Sequence, residues 1–263
     1  MGQFSTYAQN EILDHILKVG AFTQPTHLYI GLSRANPLAD GSGIDEPSGG
    51  SYARKICDDW NIASQRKTKN AIELVFTEAT GAWGTLTHWF ISDALTGGNM
   101  IAFGALVATK TGATGDDFSI KIGDCEISFK TGKISTYLAN KILDHVFMNS
   151  AYTPPANIYC ALATETIYDA DTGLTITEPT TGGYGRINHN TWNIASAGAS
   201  SNDGAISFAE PSASQGIASD VALIDALTAG NMLIYGELDN LAEINAGDTP
   251  FRFADEALDI TLT

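Results

Sequence analysis

Apolar positions follow one pattern twice along this chain. Ala8, Ile12, Leu13, Ile16 and Leu17 fall on one helical face, and Leu138, Ile142, Leu143, Val146 and Phe147 repeat the stripe. Ser5 or Thr6 suits the N-cap, Thr6 and Gln9 have capping-box spacing, and Gly20 is a fitting stop. The period then changes from helical to two. Leu28, Ile30 and Leu32 share one strand face, and Ile158, Cys160 and Leu162 take the same places in the second stretch. A loop over 34–51, rich in Gly, Pro and Asp, follows. Further strands are predicted at 52–60, 71–77, 86–93, 99–108, 116–122 and 124–129. Ile72, Leu74 and Phe76 alternate cleanly, and Gly97-Gly98-Asn99 is turn chemistry between two strands. There is no βαβ rhythm. The pattern predicts a mainly β chain: two tandem antiparallel β-sandwich domains, each preceded by one amphipathic helix.

Residue identities repeat as well as the pattern. Ser5-Thr6-Tyr7 returns as Ser135-Thr136-Tyr137, and Ile12-Leu13-Asp14-His15 as Ile142-Leu143-Asp144-His145, both offset by 130. Beyond the loop the offset is 132. Glu46-Pro47 matches Glu178-Pro179, Tyr52 matches Tyr184, and Arg54 matches Arg186. Trp60-Asn61-Ile62-Ala63-Ser64 returns unchanged at 192–196, and Asp93-Ala94-Leu95-Thr96 at 225–228. A unit of about 130 residues has the size of a domain rather than of a solenoid repeat. The expected domains are 1–131 and 132–263, joined through Lys130-Thr131-Gly132-Lys133.

Composition narrows the function. The chain has 263 residues, 44% of them hydrophobic, and a net charge of −16. Such acidity argues against a nucleic-acid partner, which needs clustered Lys and Arg. No stretch approaches the roughly 20 apolar residues of a membrane span. The start of the chain lacks the basic and apolar regions of a signal peptide, and its formal match to a myristoylation pattern reads as an ordinary start before a helix cap. Cys57, Cys125 and Cys160 form no C-x-x-C pair and read as buried free thiols made in a reducing cytoplasm. The halves differ in charge: 10 basic and 14 acidic residues in the first, net −4, against 4 and 16 in the second, net −12. Unlike surfaces imply unlike surroundings. The expectation is that the first copy, with its run Arg66, Lys67 and Lys69, makes the larger contact with a neighbour.

Catalytic chemistry is sought and not found. There is no H-E-x-x-H, no G-x-S-x-G elbow and no P-loop, and Gly41-Ser42-Gly43 reads as a turn. Asp14 and His15, adjacent in the helix and repeated as Asp144 and His145, read as a solvated helix end. His88 reads as a half-buried polar residue, its counterpart in the second copy being the stretch around Asp220. The best candidate calcium cluster, Asp169, Asp171, Thr172 and Glu178, answers to Asp40, Asp45 and Glu46 in the first copy. It lacks EF-hand spacing and reads as solvated loop carboxylates. Glu46, Glu78 and Asp93 are expected to accept hydrogen bonds from backbone amides in turns. Trp60 and Trp192 are either core anchors or sugar platforms, and packing is the favoured reading. The expectation is therefore no catalytic residue, no cofactor and no metal ligand.

The helix, the apolar strand Leu28–Ser33 and the loop from Asp40-Gly41-Ser42-Gly43 through Glu46-Pro47 to Tyr52-Ala53-Arg54 carry a resemblance, as do Gly84-Thr85-Leu86-Thr87-His88, Asp93–Asn99 and Gly115-Asp116-Asp117-Phe118. Together they resemble a domain of tailed-bacteriophage virion proteins, described as tail-fibre-like. The second copy departs at Thr172-Gly173-Leu174-Thr175, where the first has its Ser-Gly pair, and it lacks the His. The resemblance implies a non-enzymatic structural protein of the virion, made in the host bacterial cytoplasm. Its partners would be other virion proteins and copies of itself, with neither nucleic acid nor membrane. A compact chain without a coiled coil leans toward capsid decoration or cement. The alternatives are a tail-fibre or spike component, or a carbohydrate-binding adhesin with a host glycan as ligand.

Overall fold

The computed structural model describes residues 2–130 and 133–262. The expected boundary at 131/132 lies outside the described residues. The first copy runs β1 (Gln3–Phe4), α1 (Thr6–Ile16), β2 (Tyr29–Ser33), β3 (Lys55–Ile56), β4 (Lys67–Lys69) and β5 (Leu74–Val75). It continues with β6 (Gly84–Ser92), β7 (Met100–Gly112), β8 (Ser119–Ile120) and β9 (Glu126–Ser128). The second runs α2 (Thr136–Phe147), β10 (Tyr159–Ala163), β11 (Ile187–Asn188), β12 (Ala199–Ser201) and β13 (Ile206–Ser207). It ends with β14 (Gly216–Ile224), β15 (Met232–Ile244), β16 (Arg252–Phe253) and β17 (Asp259–Thr261).

The first copy has a five-stranded sheet, β1-β7-β6-β2-β3, and two ribbons, β4-β9 and β5-β8. The second has β11-β10-β14-β15 with ribbons β12-β17 and β13-β16. The pairings between these strands are antiparallel, and each joins strands of one copy. The mainly β fold is therefore as the pattern predicts, with a sandwich-like arrangement of sheet and ribbons. The helices begin where expected: Ser5 and Ser135 cap them by accepting from the N–H of Ala8 and Leu138, both at 3.1 Å. A two-residue edge strand precedes α1, and in the second copy it shrinks to a bridge between Ile134 and Ile234.

Three strand expectations change. The segment 52–60 contributes only β3, because its side chains are spent on the loop contacts described below. Conversely β4, Lys-Thr-Lys, is a strand that hydrophobicity does not mark. Only Thr68 points inward, 2% exposed, while Lys69 pairs with Glu126 at 2.8 Å across the ribbon. β7 also outruns its predicted end, since beyond an irregularity in register its exposed tail is held by pairing Lys110, Thr111 and Gly112 with Leu86, Thr85 and Gly84 of β6 rather than by burial.

One hydrophobic core runs through both copies. It joins Phe4, Ile12, Leu13, Trp60 and Trp89 to Ile142, Leu143, Phe147, Trp192 and Leu223. The physical reason is that each helix stripe is wider than its own sheet covers, and the excess is buried against the other copy. No described helix is long and apolar enough to cross a membrane.

Candidate functional site

The repeated motifs converge on the contact between the copies, where each helix grips the Trp-Asn-Ile-Ala-Ser loop of the other. Asp14 Oδ1 accepts from the N–H of Ala195 at 2.7 Å, and Asp144 Oδ1 accepts from Ala63 N–H at 2.7 Å. Asn10 Oδ1 accepts from Gly198 N–H at 2.8 Å, and Asn140 Oδ1 from Arg66 N–H at 2.9 Å. These four bonds obey a pseudo-twofold, the isologous arrangement of a homodimer built within one chain.

His15 and His145 meet on that axis. Their rings stack with centroids 4.7 Å apart and planes 14° apart. The Nδ1 atoms accept from Phe22 N–H (3.3 Å) and Tyr152 N–H (3.0 Å), neighbours in their own copies. That leaves Nε2–H to donate across the axis, from His15 to Tyr152 O at 2.8 Å and from His145 to Phe22 O at 3.2 Å. Burial, and then the neighbouring His15, hold the His145 pKa below the ordinary histidine value. The expectation of a solvated helix end at Asp14, His15, Asp144 and His145 is thus overturned. His15 is 8% and His145 3% exposed, and both acids bind backbone of the opposite copy.

Trp60 and Trp192 are buried in equivalent places, as the packing reading expects. Trp60 donates Nε1–H to Cys57 O at 2.7 Å and lies 4.6 Å from the Phe147 ring of the second copy. Trp83 and Trp89 are buried too, so the chain presents no exposed indole as a sugar platform. The interface is not fully symmetric. Arg66 has a positive φ of 67°, where the second copy has Gly198 at 77°. Its guanidinium, 7% exposed, pairs with Asp169 at 3.0 Å and donates to the carbonyls of Ile134 and Lys130. The basic run expected to face a neighbour is therefore partly consumed inside the molecule, with Arg66 in the inter-copy contact and Lys69 on Glu126.

A second repeated device ties the long loop to the sheet. Arg54 forms a bidentate pair with Glu46, Nε–Oε1 and Nη2–Oε2 both at 2.9 Å, and Arg186 pairs with Glu178 down to 2.6 Å. Arg54 Nη1 also donates to Ala94 O and Gly97 O, and Arg186 Nη1 to Ala226 O and Ala229 O. Tyr52 and Tyr184 donate to Glu46 and Glu178, and burial first of all pushes both phenols far above the ordinary tyrosine value. Glu46 thus serves side chains, not the turn amides expected of it. Asp93 does act as a turn acceptor, holding Asn99 N–H at 2.7 Å.

Other candidates scatter. Asp171 accepts from Tyr168 N–H at 2.7 Å and Thr175 Oγ1 at 3.0 Å, Asp169 holds Tyr235 and Arg66, and Glu178 holds Arg186. Among the described residues no three His, Cys, Asp or Glu side chains group to hold a metal ion. Burial pushes the Cys57 thiol up to about 12 and raises Cys125 and Cys160, so none is a poised nucleophile. His88 is half-buried as expected, and Asp220 sits opposite strand β10 where His88 sits opposite β2. The roles of Asn10, Asn140, Asp14 and Asp144 escaped sequence reasoning. Their signal is an acid in the last helical turn, where the helix dipole disfavours it, recurring together with an invariant loop.

A family described as Gp80, podophage GP4 fiber I protein gp80, matches residues 3–128 and again 133–261. No curated protein is significantly similar to the chain.

Proposed function

The chain belongs to the podophage fiber I protein gp80 family, and on that premise we propose that it is a non-enzymatic fibre component of a tailed-phage virion. The tandem family match carries this reading. It supports a fibre over the capsid-decoration role toward which the compact sequence leaned. We take 1–131 and 132–263 as the two domains, which clasp through their helices and work as one rigid body. Residues that would serve chemistry elsewhere, the His pair, the Asp pair and the Arg–Glu pairs, are engaged in holding that body together. Its partners are other virion proteins and copies of itself. Gold-labelled antibodies against the purified chain, applied to intact virions, test the placement. Label on tail appendages supports the fibre role, and label spread over the head overturns it.

A further inference from the structure

The first copy carries an open cleft of about 210 Å³ beside Arg54, bordered by Asp40, Gly41, Ile44, Phe90 and Gly98. The second copy shows what fits there. Its long loop is closed by Thr164 N–H to Thr177 O (2.8 Å), as the first is by Arg34 N–H to Asp45 O (2.9 Å). Both loops hold their helix start through equivalent carbonyls, Ala39 and Asp169, each at 2.7 Å. Gly41 N–H to Leu38 O and Asp171 N–H to Tyr168 O are likewise equivalent. The loops therefore keep step up to Gly41 and Asp171, after which the second copy has two more residues before Thr177 than the first has before Asp45, and its stretch opens with Thr172 and Gly173.

Gly173 sits against the second copy's arginine. Gly173 O accepts from Arg186 Nη2 at 2.6 Å, and Gly173 N–H donates to Gly230 O at 3.0 Å. A Cβ on Gly173 would lie 2.0 Å from Ala229 O, so only glycine seats. All five guanidinium N–H groups of Arg186 are then used. Arg54 uses four, on Glu46, Ala94 and Gly97, and its fifth, on Nη2, has no acceptor among the described residues although the side chain is nine-tenths buried. Gly98 O, the counterpart of Gly230 O, likewise has no donor among the described residues. A spare donor and a spare acceptor thus border the cleft, and in the second copy their counterparts are bridged by the C=O and N–H of a single residue, Gly173.

We propose that this cleft receives a glycine-bearing backbone loop of a partner polypeptide, seated as Thr172–Gly173 is seated in the second copy. The partner's carbonyl takes the spare N–H of Arg54, and its glycine N–H bonds to Gly98 O. The Phe90 ring, 4.8 Å below the guanidinium, and Ile44 form the apolar walls. An anionic ligand is disfavoured, because Glu46 already neutralises Arg54 and Asp40 borders the opening. The inference stands on this geometry whether the chain serves a fibre or a head, so it fails independently of the fibre reading.

Two measurements on the full chain test it. In the first, the capped peptide Ala-Asp-Thr-Gly-Leu-Thr, the sequence of residues 170–175, is titrated to 10 mM against isotope-labelled protein. Saturating shifts centred on Arg54 Nε–H, Gly98 and Asn99 are expected, with at least a tenfold loss of affinity when the peptide glycine becomes alanine. In the second, Thr-Gly is inserted between Gly41 and Ser42 to fill the cleft from within. This variant should melt higher than one carrying Thr-Ala there and should no longer respond to the peptide. Failure of either measurement overturns the proposal, as do shifts of the same amides by methyl glycosides without any by the peptide.

Discussion

Replacing Asp14 by alanine separates two readings of the repeated helix end by the sign of the effect. If Asp14 were a solvated acid in the last turn of α1, its removal would relieve an unfavourable dipole interaction of about 0.3–1 kcal/mol and add helix propensity, so the protein would gain stability. In the structure its carboxylate binds Ala195 N–H at 2.7 Å, across 181 residues of chain. A hydrogen bond to a charged group contributes about 1.5–3 kcal/mol, and Ala195 is only 7% exposed, so its N–H would be left without water or protein. Subtracting the helix gain leaves a net loss of about 1–2 kcal/mol. For a chain of this size that lowers Tm by about 2–8 °C. Asp14→Asn retains an acceptor oxygen and should lose less. The same series at Asp144, which binds Ala63 N–H, should behave alike. Urea and thermal melts followed by tryptophan fluorescence suit the measurement, since Trp60 and Trp192 lie in the gripped loops. A Tm that stays constant or rises on Asp14→Ala would refute the reciprocal grip.

Acid should weaken the same contact. The folded His145 is held neutral, so the unfolded chain, titrating near about 6.5, binds more protons below that pH, and stability present above it falls as pH drops through it; a His145→Gln variant should show a flatter Tm between pH 7.5 and 5.5. Trp60→Ala should cost about 3–5 kcal/mol, and a double-mutant cycle with Phe147→Ala should show coupling across the copies, additive losses being the contrary result. Gly31→Ala places a Cβ 2.3 Å from the Phe90 ring and should cost about 1–3 kcal/mol by overpacking. The second copy has Ala161 and Ala222 at these paired positions, so much of that cost should vanish when Phe90→Ala is already present, as measured by urea midpoint.

The periodic features were legible from the chain alone. Helical stripes at 8–17 and 138–147, the alternation at 28–32 and 158–162, and the offsets of 130 and 132 set the fold class and the duplication, because such patterns express local geometry and burial of one face. The buried tryptophans followed from the identity of their flanks. What lies between the copies could not be read this way. Asp14 and His15 look like a polar helix end in any local window, since the groups that bury them lie far off in sequence; the Asp14 carboxylate binds Ala195 N–H and His15 Nε2–H binds Tyr152 O, which only the docked second copy supplies. The cleft beside Arg54 was equally hidden. Two residues more or fewer in a loop leave the hydrophobic pattern unchanged, but they decide whether the last N–H of a buried guanidinium finds a carbonyl. Backbone hydrogen bonds between distant segments carry no side-chain signature at the donor, so tertiary structure alone decided where they form.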